Sequence, residues 1–323
     1  MKTVSVIIPL YNAENFISQA VNSIICQKGV EIEVIVVNDG STDHSLEVLS
    51  VFGKRIKIIS IKNSGASVAR NVGLRYATGD YVMFLDADDY IADDNICKQA
   101  IDTIDKTKSE MCMFLYTYYN NSTKSFVHLK KFPQSLLERT DCSDVFSQLI
   151  KEGIAPVSPC CKVIKRNHLF NNELFFMEGT VAEDLEWLIR LIIRTQTVCL
   201  INNDSYIYRK NLSSSVTGGN SIIKCINHHS MISLSLERLK GTDDKKKIAL
   251  FSLLSYQYCI WLSQIWSFKN DKSLIEKAKS MSWLLEYDLY PGVKYVRRIH
   301  GILGVHTIDL LHLFYVFMSK SNR

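Results

Sequence analysis

The chain has 323 residues, enough for two or three structural units. With 47% apolar and 22% charged residues, its composition is that of an ordinary soluble protein with a sizeable core. The net charge of +5, from 38 Lys and Arg against 33 Asp and Glu, is too small at this length to indicate nucleic-acid binding by itself. An anionic lipid or substrate would fit it equally well, and we expect no nucleic-acid partner.

The cysteines and the N-terminus predict a cytoplasmic location. Nine cysteines are scattered along the chain without a C-x-x-C pair, which is typical of reduced, packed thiols. The adjacent Cys160 and Cys161 have no histidine or acid nearby in sequence, which disfavours a nucleophilic cysteine. The first residues, "MKTVSVIIPLYNAEN", contain neither a long apolar region nor a small-residue cleavage site, so we expect no secretion signal.

The first ninety residues alternate between strand and helix patterns. The patterns predict strands at residues 3–10, 31–39, 55–60 and 80–88, and helices at 14–27, 41–52 and 64–77. Such alternation favours an α/β fold, a Rossmann-like, mostly parallel sheet flanked by helices on both faces. Residues from about 100 to 215 are less regular.

Four polar segments follow the four predicted strands. They are "PLYNAEN", "VNDGSTD", "KNSGAS" and "LDADD". Because ligands of open parallel sheets bind beyond the carboxyl ends of the strands, we expect these segments to share one ligand-binding edge. Neither a G-x-G-x-x-G nor a G-x-x-x-x-G-K-[ST] motif is present, which weakens the dinucleotide and P-loop interpretations.

The last of these segments places Asp86, Asp88 and Asp89 almost together. On an extended strand, alternate side chains share a face, so Asp86 and Asp88 would point together at the ligand edge. Oxygen ligands at this spacing suit Mn²⁺ or Mg²⁺ whose shell is completed by substrate phosphates. A turn capped by Asp88 or Asp89 is the alternative, but the polar segments at the same edge favour a metal site.

Five stretches in order resemble family 2 glycosyltransferases, inverting enzymes of the GT-A fold, of the bacterial surface-polysaccharide type. They are "VSVIIPLYNAENFISQAVNSI", "VIVVNDGSTD", "NSGASVARNVGL", "GDYVMFLDADD" and "EDLEWLIRLI". The resemblance covers residues 3–193 and implies a metal-dependent hexosyl- or N-acetylhexosaminyltransferase. The last hundred residues have no such support, because the C-terminal regions of these enzymes vary.

The resemblance also implies which residues bind the donor. Nucleotide-sugar contacts are implied for Pro9, Tyr11, Glu14, Asp39, Arg70, Asp86 and Arg209, and metal contacts for Asp88 and Asp86. In this set Asp39 would accept a hydrogen bond from uracil, Arg70 would reach the diphosphate and Asp86 the ribose. Alternatives remain open: an acid at a helix N-terminus for Asp39, as we favour for Asp43, and a surface arginine for Arg70.

The later acidic pair, Glu183 and Asp184, begins a helical pattern. Acids at a helix start are often only partners of the helix dipole. Inversion, however, needs a carboxylate that takes the proton of the attacking acceptor hydroxyl. The resemblance implies that Asp184 is this base, with Glu183 orienting it or binding acceptor.

Two stretches around these motifs depart from the family or are ambiguous. Cys160 stands where tryptophan is frequent among relatives, although Lys162 and Arg166 remain, so aromatic stacking on an acceptor sugar is in doubt there. In "YIYRKNLSSSVTGG", Tyr208, Arg209 and Ser215 would close over the donor phosphates, and a flexible surface loop is an equally good interpretation.

The C-terminal region is predicted to be helical. Residues 248–268 carry no formal charge and are long enough to span a bilayer, but four serines and two glutamines favour an interfacial or bundle helix. The tail "GILGVHTIDLLHLFYVFMSK" is amphipathic and would pack on the protein or contact a membrane. We predict three regions: residues 1–100 binding the nucleotide sugar, 101–215 binding the acceptor, and 216–323 forming the helical region.

The sequence predicts transfer of a sugar from a nucleoside diphosphate sugar, with UDP favoured, to a glycan hydroxyl. A lipid-linked acceptor of capsule, O-antigen or exopolysaccharide assembly would explain the basic, aromatic C-terminal helices as a peripheral contact with the inner face of the cell membrane. A non-catalytic scaffold that binds sugar nucleotides is the alternative, disfavoured because a scaffold needs no catalytic base. A homodimer stays open.

Overall fold

The computed structural model describes residues 1–179, 183–210 and 221–303. The chain divides into two compact units, Met1–Cys142 with Pro156–Val216, and Ser143–Ala155 with Thr217–Arg323. Strands on both sides of residue 100 belong to one sheet of the first unit. The segment Ser143–Ala155 groups with the C-terminal helices, an association that the local sequence pattern does not reveal.

The first unit contains all the strands of the described chain. They are β1 (Thr3–Leu10), β2 (Glu31–Asp39), β3 (Ile56–Ile61), β4 (Tyr81–Phe84), β5 (Tyr90–Ile91), β6 (Met111–Met113), β7 (Tyr116–Asn120), β8 (Ser125–His128), β9 (Lys162–Lys165), β10 (Val198–Leu200) and β11 (Tyr206–Lys210). Its helices are α1 (Ile17–Ile25), α2 (Ser45–Leu49), α3 (Ala66–Tyr76), α4 (Ile96–Thr107), α5 (Gln134–Leu137), α7 (Arg166–Asn171) and α8 (Glu183–Arg194). Short 3₁₀ helices occupy Ser50–Arg55 and Pro159–Cys161.

Seven strands form the main sheet, in the order β10-β6-β9-β4-β1-β2-β3. All neighbours are parallel except β9, which runs antiparallel to both β4 and β6. Strands β1 and β2 are almost continuously apolar and buried, as strands covered on both faces must be. The predicted mostly parallel sheet flanked by helices is confirmed.

Helix α3 packs closely on the centre of this sheet. A Cβ added to Gly73 would lie 2.3 Å from Ile7 Cγ2 on β1, well inside van der Waals contact. The same helix buries Leu74 on its sheet-facing side. Glycine at position 73 therefore sets the distance between α3 and β1, and with it the position of the polar residues on α3.

The strand predicted at residues 80–88 ends at Phe84, four residues early. Leu85 still donates its amide to Ile7 O at 3.0 Å, but Asp89 N then bonds back to Asp86 O at 3.1 Å and closes a turn. The expectation that Asp86 and Asp88 alternate on an extended strand is therefore wrong. Both lie in a turn, because the backbone leaves the sheet directly after Leu85.

A second, four-stranded sheet begins at this turn, in the order β5-β11-β7-β8. Strands β11 and β7 are parallel, with Tyr206 opposite Tyr116 and Tyr208 opposite Tyr118. Strands β5 and β8 pair antiparallel at the two edges. The second sheet thus starts from the segment that carries the acidic cluster.

The second unit is helical. It contains α9 (Ile222–Arg238), α10 (Asp244–Ile265), α11 (Lys272–Ser280), α12 (Pro291–Leu303) and most of α6 (Cys142–Glu152), with 3₁₀ helices at Trp266–Phe268 and Ser282–Glu286. Trp261 donates to Cys225 O at 2.8 Å and Tyr258 to Ala278 O at 2.6 Å, so both fully buried rings join α10 to its neighbours.

One helix of the described chain, Asp244–Phe268, is long and apolar enough to cross a membrane. However, 67% of its most apolar stretch is buried inside the protein, as in the core helix of a soluble bundle. This arrangement agrees with the favoured expectation of a bundle helix. Most of the predicted amphipathic tail, from residue 304 onward, lies outside the described residues.

Candidate active site

The carboxyl ends of β1, β2 and β4 meet at one edge of the main sheet. Leu10 lies opposite Asn38, and Val6 and Ile7 lie opposite Met83 and Phe84. The loops that follow β1 and β2 are joined by hydrogen bonds from Asn12 N to Ser41 Oγ at 3.1 Å and from Thr42 N to Asn12 Oδ1 at 2.8 Å. The polar segments of the sequence therefore form one surface.

The predicted nucleotide residues line this surface. Pro9, the second-last residue of β1, lies opposite Val37, and Tyr11 is 51% exposed. Glu14 accepts a hydrogen bond from His44 N at 2.8 Å. Asp43 bonds to the amides of Glu14 and Ser45, so it stabilises the turn before α2, as favoured from the sequence.

Asp39 is nearly buried, and its carboxylate organises the loop before α3. It accepts hydrogen bonds from Ser64 N at 2.7 Å and from Gly65 N at 2.8 Å. Gly65 precedes the helix with φ of +93°, a backbone conformation that favours glycine. Contact between Asp39 and a nucleobase stays a prediction. The hydrogen bonds to Ser64 and Gly65 give this carboxylate a structural role that the sequence did not indicate.

Arg70, on α3, binds three carboxylates. Its Nη1 donates to Glu183 Oε1 at 3.0 Å and to Asp184 Oδ1 at 3.2 Å, and its Nη2 donates to Asp86 Oδ1 at 3.0 Å. The guanidinium side chain is only 6% exposed. Burial alone would lower the pKa of Arg70, but Asp184 and Asp86 hold it above its ordinary value. The surface-arginine alternative is therefore wrong.

An aromatic cluster packs against the guanidinium of Arg70. Arg70 lies 5.2 Å from the ring centre of Phe176, which stacks on Trp187 at 4.7 Å. Asn71, the next residue on α3, accepts from Phe176 N at 2.7 Å and donates to Phe176 O at 2.9 Å. Phe84 packs edge-on against both rings. Arg70 is thus positioned by packing and cation–π contact.

Asp184 is the predicted base, and its chemistry fits a proton acceptor near neutral pH. Partial burial raises the pKa of Asp184 to about 6, with repulsion from Glu183 and Asp86 adding to the effect of burial and Arg70 opposing it. The side chain keeps 38% of its surface exposed, so a substrate hydroxyl has access to it. Glu183 and Asp184 start α8, so the dipole of that helix also favours their ionised forms.

The turn after β4 separates the three aspartates by environment. Asp86 faces Arg70, while burial and the nearby Asp86 raise the pKa of Asp88 to about 6. Asp89 is buried and accepts from Tyr206 Oη at 2.7 Å and from Arg209 N at 2.9 Å. Asp89 therefore fastens the turn to β11, and Asp86 is paired with Arg70 through its Oδ1.

Asp88 and Asp86 fit a divalent cation that a substrate phosphate also coordinates. No group of three or more His, Cys, Asp or Glu side chains in the described parts of the chain could hold a metal alone. Burial and the nearby Asp86 carboxylate raise the pKa of Asp88, and a cation bound to both carboxylates would favour their ionised forms. Two carboxylates supply the hard oxygen ligands that Mn²⁺ and Mg²⁺ prefer.

Arg209 lies behind the acidic turn. Its guanidinium donates to Asp88 O and Gln19 Oε1 and lies 4.6 Å from the ring centre of Tyr90. Contact with donor phosphates stays a prediction, and in the structure this side chain supports the turn. Ser215, predicted to act with it, lies outside the described residues.

The stretch that departs from the family forms the floor of the site. Burial and the nearby Asp86 raise the pKa of the Cys160 thiol well above its ordinary value, so the thiol is protonated and non-nucleophilic at neutral pH. Lys162 is fully buried and donates to Pro156 O at 2.8 Å and Ser158 O at 2.6 Å. Arg166 donates to Gly79 O. Lys162 therefore supports the loop at residues 156–161, and Arg166 joins α7 to the segment before β4.

Comparison with known proteins identifies the family. The sequence profile of glycosyl transferase family 2 matches residues 5–170, and the chain belongs to this family. Glycosyltransferase GlyA of Streptococcus pneumoniae is 33% identical over 214 residues, which are 64% of this chain but only 30% of GlyA. The chain therefore matches less than a third of the length of that relative.

Two solved structures show the fold. TarS of Staphylococcus aureus, residues 1–349 in complex with UDP-GlcNAc, superposes with a TM-score of 0.72 at 22% identity over 98% of this chain and 91% of TarS 1–349. A Pyrobaculum calidifontis mannosyltransferase with GDP-Man and Mn²⁺ superposes with a TM-score of 0.55 at 14% identity over 96% and 86% of the two chains. The predicted GT-A fold is confirmed.

Sequence reasoning missed the residues that place the charged groups. The aromatic pair Phe176 and Trp187 and the buried Tyr206 were not singled out, although Tyr206 bonds directly to Asp89. For Asn71 a signal existed, since it follows Arg70 within a matched motif. For the aromatic residues the alternating or helical pattern indicates burial, but not which charge each ring contacts.

Proposed function

We propose that this chain is an inverting, metal-dependent glycosyltransferase that moves a hexosyl or N-acetylhexosaminyl group from a nucleoside diphosphate sugar to a glycan hydroxyl. One observation carries the proposal: a buried guanidinium, Arg70, joins the acidic turn at Asp86 to the acidic pair Glu183 and Asp184. The relative TarS was solved with UDP-GlcNAc, which supports a UDP-sugar as the favoured donor.

In this reaction Asp184 takes the proton of the acceptor hydroxyl while that oxygen attacks the anomeric carbon. The bond to the diphosphate oxygen breaks, and the electron pair leaves with the nucleotide. A carboxylate whose pKa is about 6 is ionised at neutral pH and still basic enough to receive the proton. Glu183 shares Arg70 with Asp184 and orients it.

Asp88 and Asp86 would hold Mn²⁺ or Mg²⁺ together with the diphosphate. Bound there, the cation would offset the charge that develops on the departing diphosphate. Arg70 supplies a fixed positive charge beside it, and fixed charges cost no reorganisation during the reaction. The mannosyltransferase that shares this fold was solved with Mn²⁺, which supports the cofactor assignment.

The acceptor and the location belong to the same proposal. A lipid-linked glycan of capsule, O-antigen or exopolysaccharide assembly, presented at the inner face of the cell membrane, would meet a cytoplasmic enzyme with peripheral membrane contact. The curated relative TarS is a poly(ribitol-phosphate) β-N-acetylglucosaminyltransferase, so an envelope glycopolymer acceptor has a precedent in a similar protein.

The test is acceptor-free release of UDP from a panel of UDP-sugars with Mn²⁺, followed by transfer to an added glycan. We expect Asp184→Asn to reduce kcat by a factor of about 10² to 10⁴, the usual contribution of a general base. Glu186→Gln, in the same first turn of α8, is the control, because this carboxylate is buried and binds Arg190. Full turnover by both Asp184→Asn and Asp88→Ala would refute the mechanism. If the wild-type chain binds UDP-sugars but cleaves none of them, the scaffold alternative is favoured.

A further inference from the structure

Three tyrosines form one face of the second sheet beside the acidic turn. Tyr116 and Tyr118 lie on β7 and Tyr208 lies on the adjacent parallel strand β11, and we call this set the tyrosine face. The register places Tyr208 opposite Tyr118, and alternate residues of a strand share a face. All three side chains are partly exposed, so they do not belong to the closed core.

The rings contact one another in a fixed geometry. Ring centres are 4.9 Å apart for Tyr116 and Tyr118, 5.6 Å for Tyr118 and Tyr208, and 6.2 Å for Tyr116 and Tyr208, all in edge-on arrangements. The hydroxyls of Tyr116 and Tyr118 are 2.9 Å apart and hydrogen-bonded. Rigid aromatic surface with hydroxyls at its rim loses little side-chain entropy on binding.

The tyrosine face adjoins the proposed reaction centre. Tyr206, two residues before Tyr208 on the same side of β11, bonds to Asp89 at 2.7 Å and accepts from Asp86 N at 3.4 Å. Partial burial and the carboxylates of the acidic turn raise the pKa of Tyr208, so its hydroxyl stays protonated and able to donate. The face therefore extends outward from Asp86, Asp88 and Asp89.

The position relative to the donor loops decides which substrate would lie there. The predicted donor residues follow β1 and β2, on one side of β4 in the main sheet, whereas β7, with Tyr116 and Tyr118, directly follows β6, which lies on the other side of β4. A ligand on these tyrosines would thus approach the acidic turn from the β6 side of β4, and Tyr11 and Asp39 follow strands of the β1 side. That side is where an attacking acceptor must lie if the donor occupies the other.

We infer that the tyrosine face is the acceptor subsite and that it binds a pyranoside ring. This inference rests on the proposed function. A pyranoside has an apolar C–H face and equatorial hydroxyls around its rim, which match the aromatic rings and the phenolic hydroxyls of Tyr118 and Tyr208. The exposed Lys210, whose Nζ lies 3.3 Å from the ring centre of Tyr118, moves aside when a sugar stacks on that ring.

The experiment is ligand-observed saturation-transfer NMR on the full chain with UDP and the diamagnetic Mg²⁺. The probes are the methyl β-glycosides of glucose, galactose, N-acetylglucosamine and N-acetylgalactosamine. We expect at least one glycoside to receive saturation at its ring C–H protons, and Tyr118→Ala and Tyr208→Ala to weaken its binding about tenfold or more. Tyr118→Phe keeps the ring and should retain most of the binding.

Tyr119→Ala is the matched control, because Tyr119 lies on the opposite face of β7 against Phe126, with ring centres 4.9 Å apart. In steady-state kinetics the tyrosine-face variants should raise KM for the acceptor about tenfold while KM for the donor changes less than about twofold. No saturation of any glycoside by the wild type, equal loss in Tyr119→Ala, or a donor KM that rises instead would overturn the inference.

The two proposals fail separately. Glycoside saturation that depends on Tyr118 and Tyr208, with no donor turnover by the wild type, would uphold pyranoside binding by the tyrosine face and refute both the transferase and the acceptor role. Donor turnover that depends on Asp184, with glycoside binding that ignores both tyrosines, would uphold the transferase and refute the subsite. Unfolding midpoints of Tyr118→Ala and Tyr208→Ala equal to that of Tyr119→Ala show that the strands remain intact in these comparisons.

Discussion

At the scale of single residues, Arg70 has two tasks. It pairs with three carboxylates from two places in the chain, Asp86 and the adjacent Glu183 and Asp184, and in the proposed mechanism it also supplies positive charge to the diphosphate. Because Arg70 is nearly buried and both of its terminal nitrogens bind carboxylates, its geometry is set before any ligand arrives. The planar guanidinium group, with its five N–H donors, can bind three carboxylates at once, whereas the compact ammonium group of lysine cannot reach all three.

Arg70→Lys should therefore lower kcat about 100-fold or more and lower the free energy of unfolding by about 3 kcal/mol, because at least one buried carboxylate loses its partner. Arg75→Lys is the control on the same helix, since Arg75 is 55% exposed and pairs loosely with Glu178 at 3.9 Å. Steady-state kinetics and urea unfolding measure the two effects. Wild-type kcat in Arg70→Lys would contradict the assignment.

The pKa of Asp184 predicts the acid limb of the pH profile. Asp184 acts as a base only when ionised, and its raised pKa is about 6. We therefore expect kcat/KM to rise with pH up to about 6 and then to level off. An acid limb centred near the ordinary aspartate value of 3.8, or one that persists unchanged in Asp184→Asn, would exclude this carboxyl as the base.

Lys162 provides a stability prediction with a defined sign. Burial lowers the pKa of this lysine from 10.5 to about 8, so the folded state releases the proton before the unfolded state does. Between these two values the unfolded chain binds more protons, and stability must rise with pH. Relative to Lys162→Met, the wild type should gain about 2 kcal/mol between pH 8 and pH 9.5. Urea unfolding at the two pH values checks this, and a constant difference would refute it.

The chemistry at the residue scale was predictable only in part. The motifs indicated Asp86, Asp88 and Asp184 because their chemical types suit a metal and a base. The contact between Arg70 and Asp184 joins positions 114 residues apart, and no local pattern encodes such a pairing. Likewise, the hydrogen bond from Tyr206 to Asp89 joins residues 117 positions apart and depends on how β11 pairs in the second sheet.

At the scale of elements, the packing of α3 on β1 positions the site. Gly73 allows the helix to approach Ile7, and Arg70 lies one turn earlier on the same helix. A methyl group at position 73 would push α3 outward and move the guanidinium with it. Overpacking of this kind typically costs about 1–3 kcal/mol.

Gly73→Ala should therefore lower the free energy of unfolding by about 1–3 kcal/mol and reduce kcat as well, because the guanidinium moves. Gly292→Ala is the control, since a Cβ at Gly292 meets no atom within 4 Å. Denaturation followed by circular dichroism and steady-state kinetics measure the two effects. Equal stability of the two variants would show that α3 has room to adjust.

Most elements of the first ninety residues could be predicted because their apolar periodicity is strong. Strands β1 and β2 have the predicted bounds, and α3 lies within its predicted range. The predicted strand at 80–88 was too long because "LDAD" contains no glycine or proline to mark the end of the strand. In the structure the backbone already leaves the sheet after Leu85. The position of β9 between β4 and β6 could not be predicted, since a four-residue strand carries no signal of its partners.

At the scale of the whole molecule, ligand binding should couple to stability. If Asp88 and Asp86 bind a cation through the donor diphosphate, UDP with Mn²⁺ stabilises the folded state by about 3 kcal/mol at a ligand concentration a hundred times Kd. We expect a Tm increase of several degrees that EDTA abolishes and that Asp88→Asn lacks. Asp105→Asn, at a hydrogen bond to Tyr81, serves as the control outside the acidic turn. A full shift in Asp88→Asn would contradict the metal assignment.

The antiparallel strand β9 has a consequence for biosynthesis. Lys162–Lys165 fills the gap between β4 and β6, so the main sheet has two bare inner edges until the ribosome has delivered those four residues. During that interval about half of the polypeptide exists with unpaired strand edges, which are templates for misassociation. Fragments that stop before residue 162 should therefore aggregate when expressed, even though they contain every motif of the nucleotide half.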